Sequence, residues 1–251
     1  MRPARLGVVL VAHGSRDPRA AEATSALASA VAAAHPEWEV HASYLDHAGP
    51  RPLDVMRWLA TAGHRRAVVV PLLLTAAYHG KVDVPAVVRS AREQLGMEVL
   101  LADVLGPSAG PLVDGPFVDG LLLDGLVRRL PAADFDAAVL IAAGTRDAAA
   151  RATVAEAASA LGARLGVPCT VAYASAAPPP AADAVASFGP AARVVVASYF
   201  LAPGLLYDNA VASALSAGAV AVAPPLTDAP ELVALVARRV WSVLARRLVA
   251  A

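Results

Sequence analysis

The segment Val11-Ala12-His13-Gly14-Ser15-Arg16-Asp17 returns 130 positions later as Ile141-Ala142-Ala143-Gly144-Thr145-Arg146-Asp147. Self-similarity of this kind means that two copies of one unit were joined. The chain is therefore held to two similar domains, not one large core. The echo keeps the glycine, a hydroxyl, the arginine and the aspartate, and replaces His13 with Ala143. All six histidines lie at or before residue 79, so imidazole chemistry belongs to the first copy alone. The offset predicts domains over 1–130 and 131–251, linked near Pro131-Ala132-Ala133-Asp134, with the site in the first.

Short β-branched runs alternate with alanine-rich stretches of helical length. Strands are predicted over 6–12, 39–45, 66–73 and 99–103, with helices over 17–34, 53–62, 84–95 and 113–130. The second half repeats the order, with strands over 138–142, 170–173, 193–199 and 219–223 and a last helix over 230–247. Runs apolar on both faces, separated by helices, specify a parallel sheet covered on both sides. The fold class is thus α/β, two doubly wound, flavodoxin-like domains from internal duplication. Two looser echoes agree: Ser43-Tyr44-Leu45-Asp46-His47-Ala48-Gly49-Pro50 with Ala172-Tyr173-Ala174-Ser175-Ala176-Ala177-Pro178, and Val68-Val69-Val70-Pro71 with Val194-Val195-Val196-Ala197.

Charge excludes several partner classes. Basic and acidic residues balance at 21 each, and they balance within each half, which argues against a nucleic-acid stripe or a polybasic membrane patch. No uncharged apolar run reaches membrane-spanning length, and the apolar stretch over 6–12 is too short for a signal peptide. A cytoplasmic protein is expected. Cys169, the single cysteine, excludes an internal disulfide and any cluster of cysteine ligands.

In an open parallel sheet, ligands bind beyond the carboxyl ends of the strands. Three such places in the first half carry chemistry: His13 after the first strand, Asp46 and His47 after the second, and Tyr78 and His79 after the third. Their counterparts are Ala143, Ser175 and Pro203-Gly204-Leu205. Two imidazoles and a carboxylate in one crevice suit a borderline transition metal, whereas magnesium or calcium would call for more oxygen ligands. Arg16 is placed to receive a carboxylate. His47 ranks behind Asp46, and His35, His41 and His64 read as surface or helix-end residues.

The stretches Leu10-Val11-Ala12-His13-Gly14-Ser15-Arg16-Asp17-Pro18 and Val70-Pro71-Leu72-Leu73-Leu74-Thr75-Ala76-Ala77-Tyr78-His79-Gly80-Lys81-Val82-Asp83-Val84-Pro85 resemble the two signature segments of the sirohydrochlorin chelatases, in their long two-domain form. The resemblance implies insertion of Co²⁺ or Fe²⁺ into sirohydrochlorin, with Ni²⁺ a further metal of the wider family. It makes His13 the metal ligand and proton acceptor and His79 the second ligand. Asp46 stands where the family usually has glutamate. Leu74, Thr75, Ala76, Ala77 and Tyr78 would run beside the macrocycle, and Arg16, Arg51 or Lys81 would meet its carboxylates. The implied partners are sirohydrochlorin and the metal ion, with no cofactor beyond that metal substrate, no nucleic acid and no membrane. A fused pair imitates a homodimer of single-domain relatives, so a monomer is expected.

Two other readings compete. A metal or tetrapyrrole carrier would use the same histidines without catalysing insertion. A phosphohistidine phosphatase also places His-Gly at a strand end, but it needs an arginine just before the histidine, where this chain has Ala12. No Gly-x-x-x-x-Gly-Lys-Ser/Thr segment is present for ATP.

Overall fold

The computed structural model describes residues 5–75, 82–107 and 118–249. Its first four strands are β1 (Leu6–Ala12), β2 (Trp38–Tyr44), β3 (Arg66–Pro71) and β4 (Glu98–Leu101), interleaved with α1 (Pro18–Ala34), α2 (Pro52–Thr61) and α3 (Val84–Leu95). After α4 (Gly120–Arg129) come β5 (Ala137–Ala142), α5 (Ala148–Leu165), β6 (Cys169–Tyr173), α6 (Ala181–Ala186), β7 (Val194–Tyr199), α7 (Leu205–Ser216), β8 (Ala221–Val222) and α8 (Pro230–Val249). The strands form two sheets, ordered β2-β1-β3-β4 and β6-β5-β7-β8, and every pairing is parallel.

The central strands β1 and β5 are buried on both faces, as their unbroken apolar runs require. Val8, Val9, Leu10 and Val11 are shut off from solvent, as are Ala137 through Ala142. One face of the first sheet packs Val9, Val11 and Val69 against Val55, Met56 and Leu59 of α2 and Val84, Val88 and Ala91 of α3. In the second sheet, Val139, Ile141 and Val196 meet Ala184 and Val185 of α6 and Ala210 and Ala214 of α7. Burying each such valine, leucine or isoleucine stabilises the fold by about 1.5–3 kcal/mol.

The compact units do not part at the expected 130/131 boundary. Unit one is residues 1–105 with 233–251, and unit two is residues 106–232. Each half therefore gives its closing helix to the other unit. Helix α4, which ends the first half in chain order, lies in unit two. There Leu122 and Leu126 are buried, Arg164 pairs with Asp124, and Arg128 and Arg129 pair with Glu231 and Asp228. From Val233 onward α8 belongs to unit one: Arg239 donates to the carbonyls of Val104 and Leu105 (2.8 and 3.0 Å), and Arg246 and Arg247 pair with Asp103 and Glu98 (2.9 and 2.7 Å). The Trp241 ring lies 5.3 Å from Trp38. Pattern alone gives a helix its apolar stripe but not its sheet, because both sheets need the same helical cover.

Smaller differences follow from weak local signals. The ladder sets Val70 opposite Leu10 and Ala197 opposite Leu140, so Val68 answers to Val195, not to Val194. A run of like valines carries no phase of its own. The last strand shrinks from the expected 219–223 to Ala221–Val222, and the expected start of α4 at 113 lies outside the described residues. Among the described residues no helix is long and apolar enough to cross a membrane.

Candidate metal-handling site

The turn after β1 explains most of the repeated heptapeptide. Asp17 caps α1 by accepting from the Arg19 amide (3.0 Å), and the Ser15 hydroxyl accepts from the Asp17 amide (3.0 Å). Asp147 caps α5 through the amides of Ala149 and Ala150 (2.9 and 3.2 Å), and Thr145 does for Asp147 what Ser15 does for Asp17 (3.2 Å). Gly14 and Gly144 have φ of 95° and 97°. A Cβ on Gly14 would overlap the carbonyl oxygen of Asp46, and one on Gly144 that of Ser175. Glycine, hydroxyl and aspartate thus build the turn, for reasons that hold in either half.

His13 stands exposed at the carboxyl end of β1. Its backbone carbonyl accepts from the Asp46 amide (2.8 Å), and the Ala12 carbonyl accepts from Leu45 (3.0 Å), which ties the ends of β1 and β2 together. Asp46 is exposed, and its Oδ1 accepts from the His47 amide at 2.8 Å. That amide holds the Asp46 carboxyl below the usual carboxylate range, with help from the nearby His47 ring and Arg51 guanidinium. His47 has φ 58°, and its Nε2 lies 3.5 Å from Asp46 Oδ2. The His13 and His47 rings meet edge to face, with centroids 6.1 Å apart and an interplanar angle of 86°.

Beyond β3 the chain stays against the same strand end, since Leu72 donates to the Val11 carbonyl (2.8 Å). Leu74 is buried and Thr75 half-buried. Ala76, Ala77, Tyr78, His79 and Lys81 lie outside the described residues. Arg16 is exposed one residue before the cap. Arg51 donates to the Leu45 carbonyl and lies 3.6 Å from Asp46, so its charge is already engaged.

The structure thus brings His13, Asp46 and His47 to one corner. Among the described residues no three His, Cys, Asp or Glu side chains are converged for an ion. The other histidines lie elsewhere: His35 ends α1 and stacks on Trp38, His41 lies against Trp58, and His64 Nδ1 is 2.8 Å from the Arg5 carbonyl. His47, ranked behind Asp46 from the sequence, stands with it beside His13. The signal was in the sequence, since the second echo sets His47 against Ala176, the same loss that singled out His13.

The corresponding corner of unit two keeps the backbone and lacks the two imidazoles and the carboxylate. Ala143 is exposed, the Ser175 hydroxyl donates to its carbonyl (2.9 Å), and Ala176 has φ 62°. Both corners carry a cis X–Pro bond, at Gly49–Pro50 and Pro178–Pro179.

Known proteins match this architecture. The family model described as CbiX matches residues 7–110 and again 137–243. A sirohydrochlorin cobaltochelatase of Methanococcoides burtonii is 25% identical over 85 residues, which are 34% of this chain and 65% of the relative. The chain thus spans just under two thirds of that relative's length. Two solved structures share the fold at 20% identity, with 95% of each chain covered: SirB from Bacillus subtilis with Fe³⁺, at a TM-score of 0.78, and SirB from Bacillus subtilis subspecies spizizenii in complex with cobalt, at 0.74.

Proposed function

The chain belongs to the CbiX family, whose model it matches in both halves, and from that premise we propose that it inserts a divalent metal, Co²⁺ or Fe²⁺, into sirohydrochlorin. The observation that carries the reading is the corner of unit one, where an exposed His13 stands beside Asp46 and His47 at the ends of two strands. The name of the Methanococcoides relative supports the substrate.

Metal insertion joins one M²⁺ to the ring and releases two pyrrole protons, with no change of oxidation state. The protein must therefore hold a cation, present the ring, and accept protons near neutral pH. Neutral imidazole both ligates such metals and takes up protons in this range. His13 is assigned as metal ligand and first proton acceptor, and His79 as the second ligand. Leu74 through Tyr78 flank the ring, and Arg16, which is exposed, receives a ring carboxylate. Asp46, with a shorter arm than glutamate and a carboxylate shared with Arg51 and His47, orients its neighbours. The site belongs to the first unit, and the fused pair works as a monomer.

The test is anaerobic mixing of metal-free sirohydrochlorin with Co²⁺ or Fe²⁺, following the ring's absorption with and without catalytic protein. Acceleration over many turnovers is expected. An unchanged rate would sink the chelatase reading, and binding of ring or metal without acceleration would mark a carrier. The faster metal identifies the physiological ion more directly than affinity, which follows the Irving–Williams order.

A further inference from the structure

His47 occupies a position whose backbone the fold requires and whose side chain it does not. The turn after β2 needs a left-handed residue, and the turn after β6 meets the same need with Ala176, at φ 62° against 58° for His47. Glycine adopts that conformation most readily, and asparagine, aspartate and histidine are the side chains enriched there. Ala176 shows that the turn forms without an imidazole, so the backbone tolerates histidine here but does not require it. What it adds is an imidazole 6.1 Å from that of His13, at 86° to it.

We propose that His13 and His47 together form a two-imidazole capture site for the divalent cation, with Asp46 fixing the His47 ring. The inference rests on the chelatase reading for the role of the ion as cargo, and on geometry for the site. A metal–nitrogen bond of 2.0–2.1 Å puts the ion about 3.2 Å from each ring centre, so two imidazoles on one ion have centres roughly 5.2 Å apart at a tetrahedral angle and at most about 6.4 Å apart when opposed. The observed separation falls in that interval. Asp46 Oδ2 lies 3.5 Å from Nε2 of His47, an ion-pair distance, on the side where a carboxylate steadies a ligating histidine and leaves its other nitrogen for the metal. Arg51 lies 3.6 Å from the same carboxylate, so Asp46 is already partly neutralised and the imidazoles are the better ligands. His47 is then the partner of His13 at capture, before the ring arrives, and the assignment of His79 as second ligand applies to the insertion step.

The full chain, without tetrapyrrole, is titrated with Co²⁺, following the ligand-field absorption bands and the heat of binding. Wild type is expected to bind one ion. His47→Asn keeps a residue suited to the left-handed turn, and it is expected to weaken Co²⁺ binding about tenfold or more and to alter the bands, as is His13→Ala. Asp46→Asn is expected to weaken binding by a smaller factor. His47→Gly, whose backbone is freer still, repeats the test if the asparagine variant folds poorly. Wild-type affinity in a folded His47→Asn or His47→Gly variant, or no Co²⁺ binding by wild type without the ring, would overturn the proposal. Either result would leave the insertion assay to judge the chelatase reading separately.

Discussion

The corner at His13 and the corner at Ala143 are the same piece of backbone with different side chains. Gly14 and Gly144 share a φ near 96°, as 95° and 97°, and each passes against the carbonyl of the residue two beyond a tyrosine that ends a strand. His47 and Ala176 share the left-handed turn. Asp17 and Asp147 cap matching helices. Where both corners agree, the reason is mechanical, because glycine is needed for clearance and aspartate for orphan amides. Where they differ, at His13, Asp46 and His47, the shared backbone does not call for those side chains. The second unit thus acts as an internal control for the first.

The largest expected effect breaks the comparison at its chemistry. His13→Ala makes the first corner resemble the second and is expected to slow assisted metal insertion by about 100-fold or more, a loss typical of a missing proton acceptor. Ala143→His is expected to restore nothing, since the second corner also lacks counterparts to Asp46 and His47. Restored insertion in the double variant would show that the second corner needs only one histidine to work.

The next effect tests the mechanical half. Gly14→Ala and Gly144→Ala each drive a Cβ into a backbone carbonyl at a positive φ, and each is expected to destabilise the protein by about 3 kcal/mol or more in urea unfolding. Comparable losses in both halves are the expected signature. Loss of either cap, in Asp17→Ala or Asp147→Ala, is expected to cost about 1 kcal/mol, again alike in the two units.

Acid should act on both units. The Asp136 carboxyl is pulled down to about 2, first by the side-chain hydrogen bonds from Arg193 and then by the Arg193 amide, and Glu98 is lowered by Arg247 and Arg66. A depressed carboxylate contributes stability above its unfolded value and loses it as pH falls through the folded one. Stability from these two pairs is therefore present at neutral pH and is expected to decline below about pH 4, Asp136 holding out until about 2. The urea midpoint of Asp136→Asn should accordingly change less between pH 5 and pH 2 than that of wild type. The smallest effect is chemical silence: burial pushes the Cys169 thiol up to about 12, so alkylation at pH 8 should be negligible in the native protein and rapid in urea.

The sequence made the element order legible because burial on both faces of β1, β3, β5 and β7 leaves unmistakable runs, as in Val8–Val11 and Val194–Val196. It also placed His13, Asp46 and His47 at strand ends, since parallel topology decides where loops go. Three things escaped it. The partner sheet of α4 and α8 is a matter of tertiary choice between equivalent surfaces. The phase of the valine run in β7 is set by hydrogen bonds to Leu140 and its neighbours, not by residue type. The closeness of the His47 ring to His13 depends on a left-handed φ, which the replacement of His47 by Ala176 in the echo does not reveal.

The reciprocal placement of α4 and α8 bears on how such a protein can be taken apart. A gene cut at the repeat boundary would yield two polypeptides, each carrying a helix whose sheet lies in the other and missing the one that covers its own. The first fragment would bare the Trp38 surface that Trp241 now meets. Simple fission at residue 130 is therefore expected not to return two self-sufficient folds. Dissection of this chain calls for breaks after Leu105 and before Val233, with the two outer pieces rejoined.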